Sequence, residues 1–279
     1  DPGSRDLVLA ATRDELRLVR VRAAAALSAV DPAQVPGADR ASLLAARSEH
    51  ERSLLARPDD FASQYNLGNL HLERGEPAAA ADRYRKALAL RPDHVASLVN
   101  LSMATARLGR LDEAEASLRE AIRVQPREAA ARFNLGLLLA ERGRSGDARA
   151  ELRRAVDLDP RNAAAAHNLA VLVAEESPKE AASLAGRAAD ADPRDPRYAF
   201  TQAFYLEKAG DAKGAEAVLR SLVARHPGYR DGWAFLGALL EARGERDAAA
   251  DVYREAAATA ALPEAERRAF EARNRAPFR

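Results

Sequence analysis

YNLGNLHLERG (65–75) and FNLGLLLAERG (133–143) carry NLG and ERG at the same offsets. They begin 68 residues apart, and VNLSMATARLG (99–109) sits midway with the phrase in weaker form. A period of 34 residues means stacked units, each burying its apolar face on its neighbours, rather than one globular core. From Phe61 onward every position can be read within that frame.

The most regular marker is proline at the thirty-second position: Pro92, Pro126, Pro160, Pro193 and Pro227, with Pro58 one period earlier. Proline cannot continue a helix and pushes the preceding residue out of the α region, so each one ends a helix. Gly75, Gly109, Gly143, Gly210 and Gly244 recur mid-unit, where a turn after a helix needs a left-handed residue. Each unit therefore reads as two helices of about three to four turns, joined at a glycine and closed by a proline. Leu67, Leu101, Leu135, Leu169 and Leu236 fill the seventh position, with Gln202 the exception. The eighth stays small (Gly68, Ser102, Gly136, Ala170, Ala203, Gly237), as does the twentieth, which lets antiparallel helices approach closely. Bulk returns at the twenty-fourth with Tyr84, Leu118, Leu152, Leu219 and Tyr253.

This series of small, small, bulky or aromatic, alanine and proline positions, together with NLG, resembles the tetratricopeptide repeat family. The resemblance implies an all-α, right-handed superhelical solenoid of antiparallel helix pairs, about six repeats long, with first helices lining a concave face. The units expected are 61–94, 95–128, 129–162, 163–195, 196–229 and 230–263, within a repeat domain over 58–263. The fourth position, usually bulky in the family, departs at Gln64, Arg132 and Ala166, and Trp233 fits it best. The fourth unit is one residue short and replaces its glycine turn with EESPKEA (175–181), so a local bend is expected there.

The flanks read differently. RDELRLVRVRAAAALSAV (13–30) is amphipathic, with Arg13, Arg17 and Arg20 on one side, and VRVRAAAAL is similar to the second helix of a HEAT repeat. RASLLAARSEHERSLLARP (40–58) reads as a helix ending on Pro58, so 1–57 forms an N-terminal helical segment. EAERRAFEARNR (264–275) suits a polar cap over the last apolar face, making 264–279 a capping helix and tail. The opening DPGS reads as a cloning remnant, which makes the chain a fragment. A HEAT-like piece before such repeats, with RYAFTQAFYLEKAGDAKGAEAVL (197–219), resembles the C-terminal region of bacterial multihaem c-type cytochromes. That likeness implies a haem domain upstream and a periplasmic or extracellular setting; without it, a cytoplasmic setting is expected.

Projected onto the inner face, Asn66, Asn100, Asn134 and Asn168 form a column at the sixth position of four successive units. A carboxamide offers a donor and an acceptor, so it can pair with the backbone of an extended peptide. The column is similar to the asparagine ladder in the repeats of protein O-linked N-acetylglucosamine transferases. A second reading, in which each amide bonds to a neighbouring helix, stands beside it. Tyr65, Phe133, His167 and Phe200 line the fifth position, with Val99 between them, and Asn69, Met103, Leu137 and Phe204 the ninth, with Val171. Such an apolar wall marks an interaction surface. Family members that bind chaperone tails clamp a terminal carboxylate with lysines, arginine and asparagines. Only Asn69 and Asn100 match that arrangement, so another kind of peptide or protein ligand is expected, held at micromolar affinity.

Composition excludes much else. The chain has 43 basic and 42 acidic residues, for a net charge of +1, which suits no dedicated polyanion binder, and no nucleic-acid partner is expected. It has no cysteine, hence no disulfide, thiolate nucleophile, thiolate metal site or covalent haem attachment. No stretch is apolar enough for a membrane span. The histidines at 50, 71, 94, 167 and 226 have no metal-ligand spacing, and His71 reads as a packed core residue. No phosphate-cradling glycine loop or nucleophile elbow occurs. The expectation is a non-enzymatic scaffold without cofactors, binding a peptide, its own upstream domain or a second copy of itself, with a nucleic-acid-binding helical repeat as the less favoured alternative.

Overall fold

The computed structural model describes residues 2–28 and 30–275; Asp1 of the opening DPGS, Ala29 and the expected tail at 276–279 lie outside the described residues. Three helices, α1 (Pro2–Ala10), α2 (Arg17–Ala26) and α3 (Gly37–Leu55), precede the repeats. First and second helices then alternate: α4 (Phe61–Glu73) and α5 (Pro77–Leu90), α6 (Val95–Arg107) and α7 (Leu111–Val124), α8 (Ala129–Glu141) and α9 (Ser145–Leu158). They continue with α10 (Ala163–Val173) and α11 (Pro178–Ala191), α12 (Pro196–Lys208) and α13 (Ala212–Arg225), α14 (Arg230–Ala242) and α15 (Arg246–Ala258), before α16 (Glu264–Arg275). The architecture is an all-α solenoid of paired antiparallel helices. It divides into two compact units within α8, one running through Leu138 and the other starting at Leu139.

Local chemistry places the turns. Gly75, Gly109, Gly143, Gly210 and Gly244 all adopt φ between 73° and 82°, the left-handed conformation that a Cβ disfavours. The residue after each glycine donates its N–H five residues back, as Glu76 does to His71 and Arg110 to Thr105, both at 2.9 Å. This satisfies carbonyls left open at the helix end. The residue two beyond a proline caps the following first helix: Asp60, His94, Asn162 and Asp195 accept the N–H of Ser63, Ser97, Ala165 and Arg197. The fourth repeat solves its turn without a left-handed residue. Its first helix, α10, has 11 residues against 13 in α4, α6, α12 and α14. The Ser177 N–H then closes on the Val173 carbonyl at 2.8 Å, and the Ser177 hydroxyl accepts from the Glu180 N–H to start α11.

Packing between paired helices is a matter of matched sizes. A Cβ placed on Gly68 would stand 2.5 Å from the Tyr84 ring, and one on Gly237 would stand 2.1 Å from that of Tyr253. Both tyrosines are fully buried. Where the eighth residue is Ser102, Gly136 or Ala203, the twenty-fourth is Leu118, Leu152 or Leu219, so glycine is required where a tyrosine ring occupies that position. In the second unit, α16 adds Phe270, whose ring stacks on Tyr253 at 6.1 Å. Three unlike residues at the fourth position, two departures and the best fit, share one job that the letters conceal. Gln64, Arg132 and Trp233 each donate to the carbonyl of the proline six residues upstream, Pro58, Pro126 and Pro227.

The N-terminal helices correct three expectations. The amphipathic stretch 13–30 is not one helix: a 3-10 turn at Ala11–Arg13 and a bend follow α1 before α2 begins at Arg17. In that bend, the Asp14 carboxylate accepts the Leu16 N–H and starts the next helix. Nor do Arg13, Arg17 and Arg20 form one basic side, because Arg13 pairs with Asp39 and Arg20 with Glu49 at 2.9 Å, both on α3. The helix expected at 40–58 begins three residues earlier, at Gly37, and ends at Leu55. His71 is packed but not fully buried, its side chain 15% exposed, and its Nδ1 lies 2.6 Å from a Glu76 carboxylate oxygen.

Candidate functional site

The sequence points to the first helices, so their open faces are the place to look. In the first unit, α4, α5 and α6 bring Tyr65, Asn69, Tyr84 and Asn100 into one hydrogen-bond network. The buried Tyr84 hydroxyl donates to Asn69 Oδ1 at 2.8 Å, and Asn100 Nδ2 donates to the same oxygen at 3.0 Å. Asn100 Nδ2 also reaches the Tyr65 hydroxyl at 3.4 Å. Burial pushes the Tyr84 phenol well above its ordinary value, so it stays a donor. Asn66, the first of the expected column, is exposed on α4.

Tyr65 belongs to an aromatic group as well. Phe61, Tyr65 and His94 pack with ring centroids 4.5–6.2 Å apart, and the Arg91 guanidinium covers Phe61 at 4.8 Å. Burial, followed by the nearby Arg91 cation, holds His94 below its ordinary value. A neutral ring agrees with its Nδ1 accepting the Ser97 N–H. Beside this group opens a cavity of about 670 Å³, with His94, Val99, Asn100, Glu128 and Ala130 in its wall. Asn134, on α8, donates Nδ2 to the Ala130 carbonyl at 2.8 Å, four residues back. Phe133, Leu137 and Met103 are half-buried, whereas Val99 is buried.

The second unit has a different surface. Asn168 repeats the Asn134 arrangement, donating to the Ala164 carbonyl at 2.8 Å. His167 is half-buried, with Nδ1 enclosed and without a hydrogen-bond partner, and its ring leans on Tyr198 at 5.2 Å. Burial, then the Arg197 cation, pushes it below its ordinary value. Phe200 is half-buried between Tyr229 and Phe235, at 5.9 and 5.6 Å. Val171 and Phe204 stay exposed at 50% and 40%, the two large apolar residues in this unit that do so among the described residues. The Lys208 ammonium lies 5.6 Å from the Phe204 ring, a contact for which the repeat reading gave no signal because position thirteen carries no pattern.

Two further clefts went unread in the sequence. Cavities of about 270 and 660 Å³ flank Arg47, which donates to the carbonyls of Leu27, Ser28 and Val30 and so closes the end of α2. Asn66 and Asn69 line the smaller one. Among the described residues, no cluster of three or more His, Cys, Asp or Glu suits a metal ion, and no helix is long and apolar enough to cross a membrane.

Comparison with known proteins places these faces in a family. The model of a family described as tetratricopeptide repeat matches residues 39–95, 65–121, 99–163, 140–196 and 200–269. No protein of curated function matches the sequence. Among solved structures, PilF of Pseudomonas aeruginosa is 22% identical, with a TM-score of 0.58 over 78% of this chain and 99% of that one. MamA of Desulfovibrio magneticus RS-1, from residue 41 to its end, is 21% identical, with a TM-score of 0.52 over 61% and 97%. YrrB, described as a repeat protein with an unusual peptide-binding site, is 20% identical, with a TM-score of 0.51 over 69% and 96%. At such identities the likeness concerns the fold.

Proposed function

Because the chain belongs to the tetratricopeptide repeat family, we propose that it is a non-catalytic scaffold that holds a peptide, or a segment of a partner protein, on its first-helix faces. One observation carries this reading: the cavity of about 670 Å³ in the first unit, walled by Val95 and Val99 together with the Asn100 amide and the charged Arg91, Asp93 and Glu128. Ligands bind in concave sites where fixed polar groups orient them against apolar wall, and this wall supplies both kinds of surface. Amides on the first-helix faces of this unit are already oriented, Asn100 within the cavity wall. Asn100 is held by Asn69 and Tyr65, and Asn134 by its own helix through Nδ2, which turns Oδ1 towards an incoming N–H. A peptide backbone meeting them forfeits little side-chain entropy. The peptide-binding site of YrrB lends the reading a parallel.

A second reading, contact with a further domain or another copy, draws support from Leu7, Leu16 and Leu18, exposed at 75%, 67% and 62%. An upstream domain of a larger protein, such as the multihaem cytochromes whose repeats this order of segments resembles, would be one such partner. Mass in solution separates the readings from each other, and a peptide library tests the first. Asn100→Ala combined with Asn134→Ala should weaken captured peptides by about tenfold, roughly 1.4 kcal/mol, with far-UV circular dichroism unchanged. Undiminished capture by a folded double variant refutes the role given to the amides.

A further inference from the structure

The second unit carries a feature that a general peptide scaffold does not require. On α12, Tyr198 leans towards α10 through His167, and Phe200 towards α14 through Tyr229 and Phe235. Between these anchored sides, helical spacing puts Arg197, Thr201, Phe204 and Lys208 on one stripe, at i, i+4, i+7 and i+11. Phe204 is 40% exposed, and Lys208 is exposed with its ammonium over the ring. Among the described residues, no carboxylate lies within ion-pair distance of Lys208. Arg197 holds Asp195 at 2.5 Å, but that pair is solvent-facing, with the arginine side chain 74% exposed. Thr201 turns its hydroxyl back to the Arg197 carbonyl and so adds no charge. The carboxylates close to the stripe are Asp195, already paired, and Glu207, which helical spacing places beyond Phe200 at its edge.

A large apolar side chain left in water beside an unpaired cation makes a two-part acceptor. The ring takes an apolar side chain, and the ammonium takes the carboxylate next to it, since a cation over a ring face stays open to an anion on its far side. On α10, Val171 stands at the ninth position, as Phe204 does on α12, and is 50% exposed, so apolar surface recurs where an anchor would lie. We propose that the α12 stripe selects, among the peptides this scaffold holds, segments in which a large apolar residue is flanked by Asp or Glu. The proposal rests on the peptide-binding reading above and adds the chemistry of the partner at this helix.

A random twelve-residue peptide library displayed on phage, selected on the intact chain, provides the probe. Enriched peptides should carry Asp or Glu within three residues of Leu, Ile, Met or Phe. Synthetic copies should lose affinity about three- to tenfold on Lys208→Glu, the range for reversing one exposed charge pair. The same variant should regain binding when the peptide's acidic residue is changed to Lys. Phe204→Ser should weaken the acidic peptides while leaving the circular dichroism spectrum unaltered. Enriched peptides of no particular charge, or acidic peptides indifferent to both substitutions, overturn the α12 assignment and leave the scaffold reading in place. A library that enriches nothing on the wild-type chain overturns both.

Discussion

Replacing Gly68 with alanine tests whether matched sizes hold the helix pairs together. A Cβ there would lie 2.5, 2.6 and 2.9 Å from Cε1, Cδ1 and Cζ of Tyr84. Carbon atoms in contact sit at about 3.5–4.0 Å, so the ring must retreat by about 1 Å. Retreat is resisted, because Tyr84 is fully buried and its hydroxyl is fixed at 2.8 Å on Asn69. Overpacking of this kind costs about 1–3 kcal/mol, against a gain of about 0.8–1.0 kcal/mol for replacing a helical glycine. Gly68→Ala should therefore come out destabilising, or at best neutral. Gly146→Ala, in α9 with nothing within 4 Å of the new Cβ, should keep the gain. Urea unfolding followed by far-UV circular dichroism measures both, and the gap between them is the ring contact, about 1–3 kcal/mol. Tyr84→Leu, the residue that faces Ser102 one unit later, should rescue Gly68→Ala in a double-mutant cycle. Equal stabilisation by the two alanines, or strict additivity in the cycle, refutes the size-matching argument.

The glycine turns and the caps give two more tests. Gly109→Ala meets no atom within 4 Å, yet its φ of 73° charges the Cβ penalty of a left-handed residue. A loss of about 1–2 kcal/mol in the urea midpoint is expected, and a neutral result means that the turn relaxes out of the left-handed region. Asp60 is held below the ordinary carboxylate range, first by the Ser63 hydroxyl and then by the Ser63 N–H. A depressed folded value means that its contribution is complete above the unfolded value of about 3.9 and disappears as pH falls through the folded one. The stability gap between wild type and Asp60→Asn should thus stay level from neutral pH to about 5 and close below about 4. A gap that persists at lower pH shows that charge at the cap is not what stabilises α4.

Much of the fold was legible because each marker residue has one physical role. Proline stops a helix wherever it falls, and glycine alone enters the left-handed turn cheaply, so their spacing fixed five turns that the structure repeats at φ 73–82°. The small eighth and bulky twenty-fourth positions could likewise be read as partners. Roles filled by several residue types were not legible. Gln64, Arg132 and Trp233 look unrelated, yet each satisfies the same proline carbonyl, because an amide, a guanidinium and an indole all offer an N–H at the right reach. Long charged side chains were the hardest. Arg13 and Arg20 share a stripe with Arg17 in sequence, but flexible stems let them find Asp39 and Glu49 on α3.

The asparagine column shows where sequence reading stops on function. Four identical residues at one register suggest four identical contacts, and the structure gives three kinds. Asn66 is exposed, Asn100 bonds to Asn69 and Tyr65, and Asn134 and Asn168 each bond four residues back. The letters one unit earlier explain the first divergence. The fifth and ninth positions preceding Asn100 are Tyr65 and Asn69, both polar, whereas those preceding Asn134 are Val99 and Met103. An amide without a polar neighbour satisfies its N–H on the nearest free lone pair, its own helix's carbonyl. What a repeat position does is therefore set by the residues one period away as much as by itself. Equivalent positions therefore differ in chemistry from helix to helix: amides and a tyrosine network on α4 and α6, an exposed aromatic ring beside a lysine on α12. On the reading proposed above, in which asparagine amides would meet peptide backbone, Phe204 and Lys208 are the side chains on which to test partner specificity.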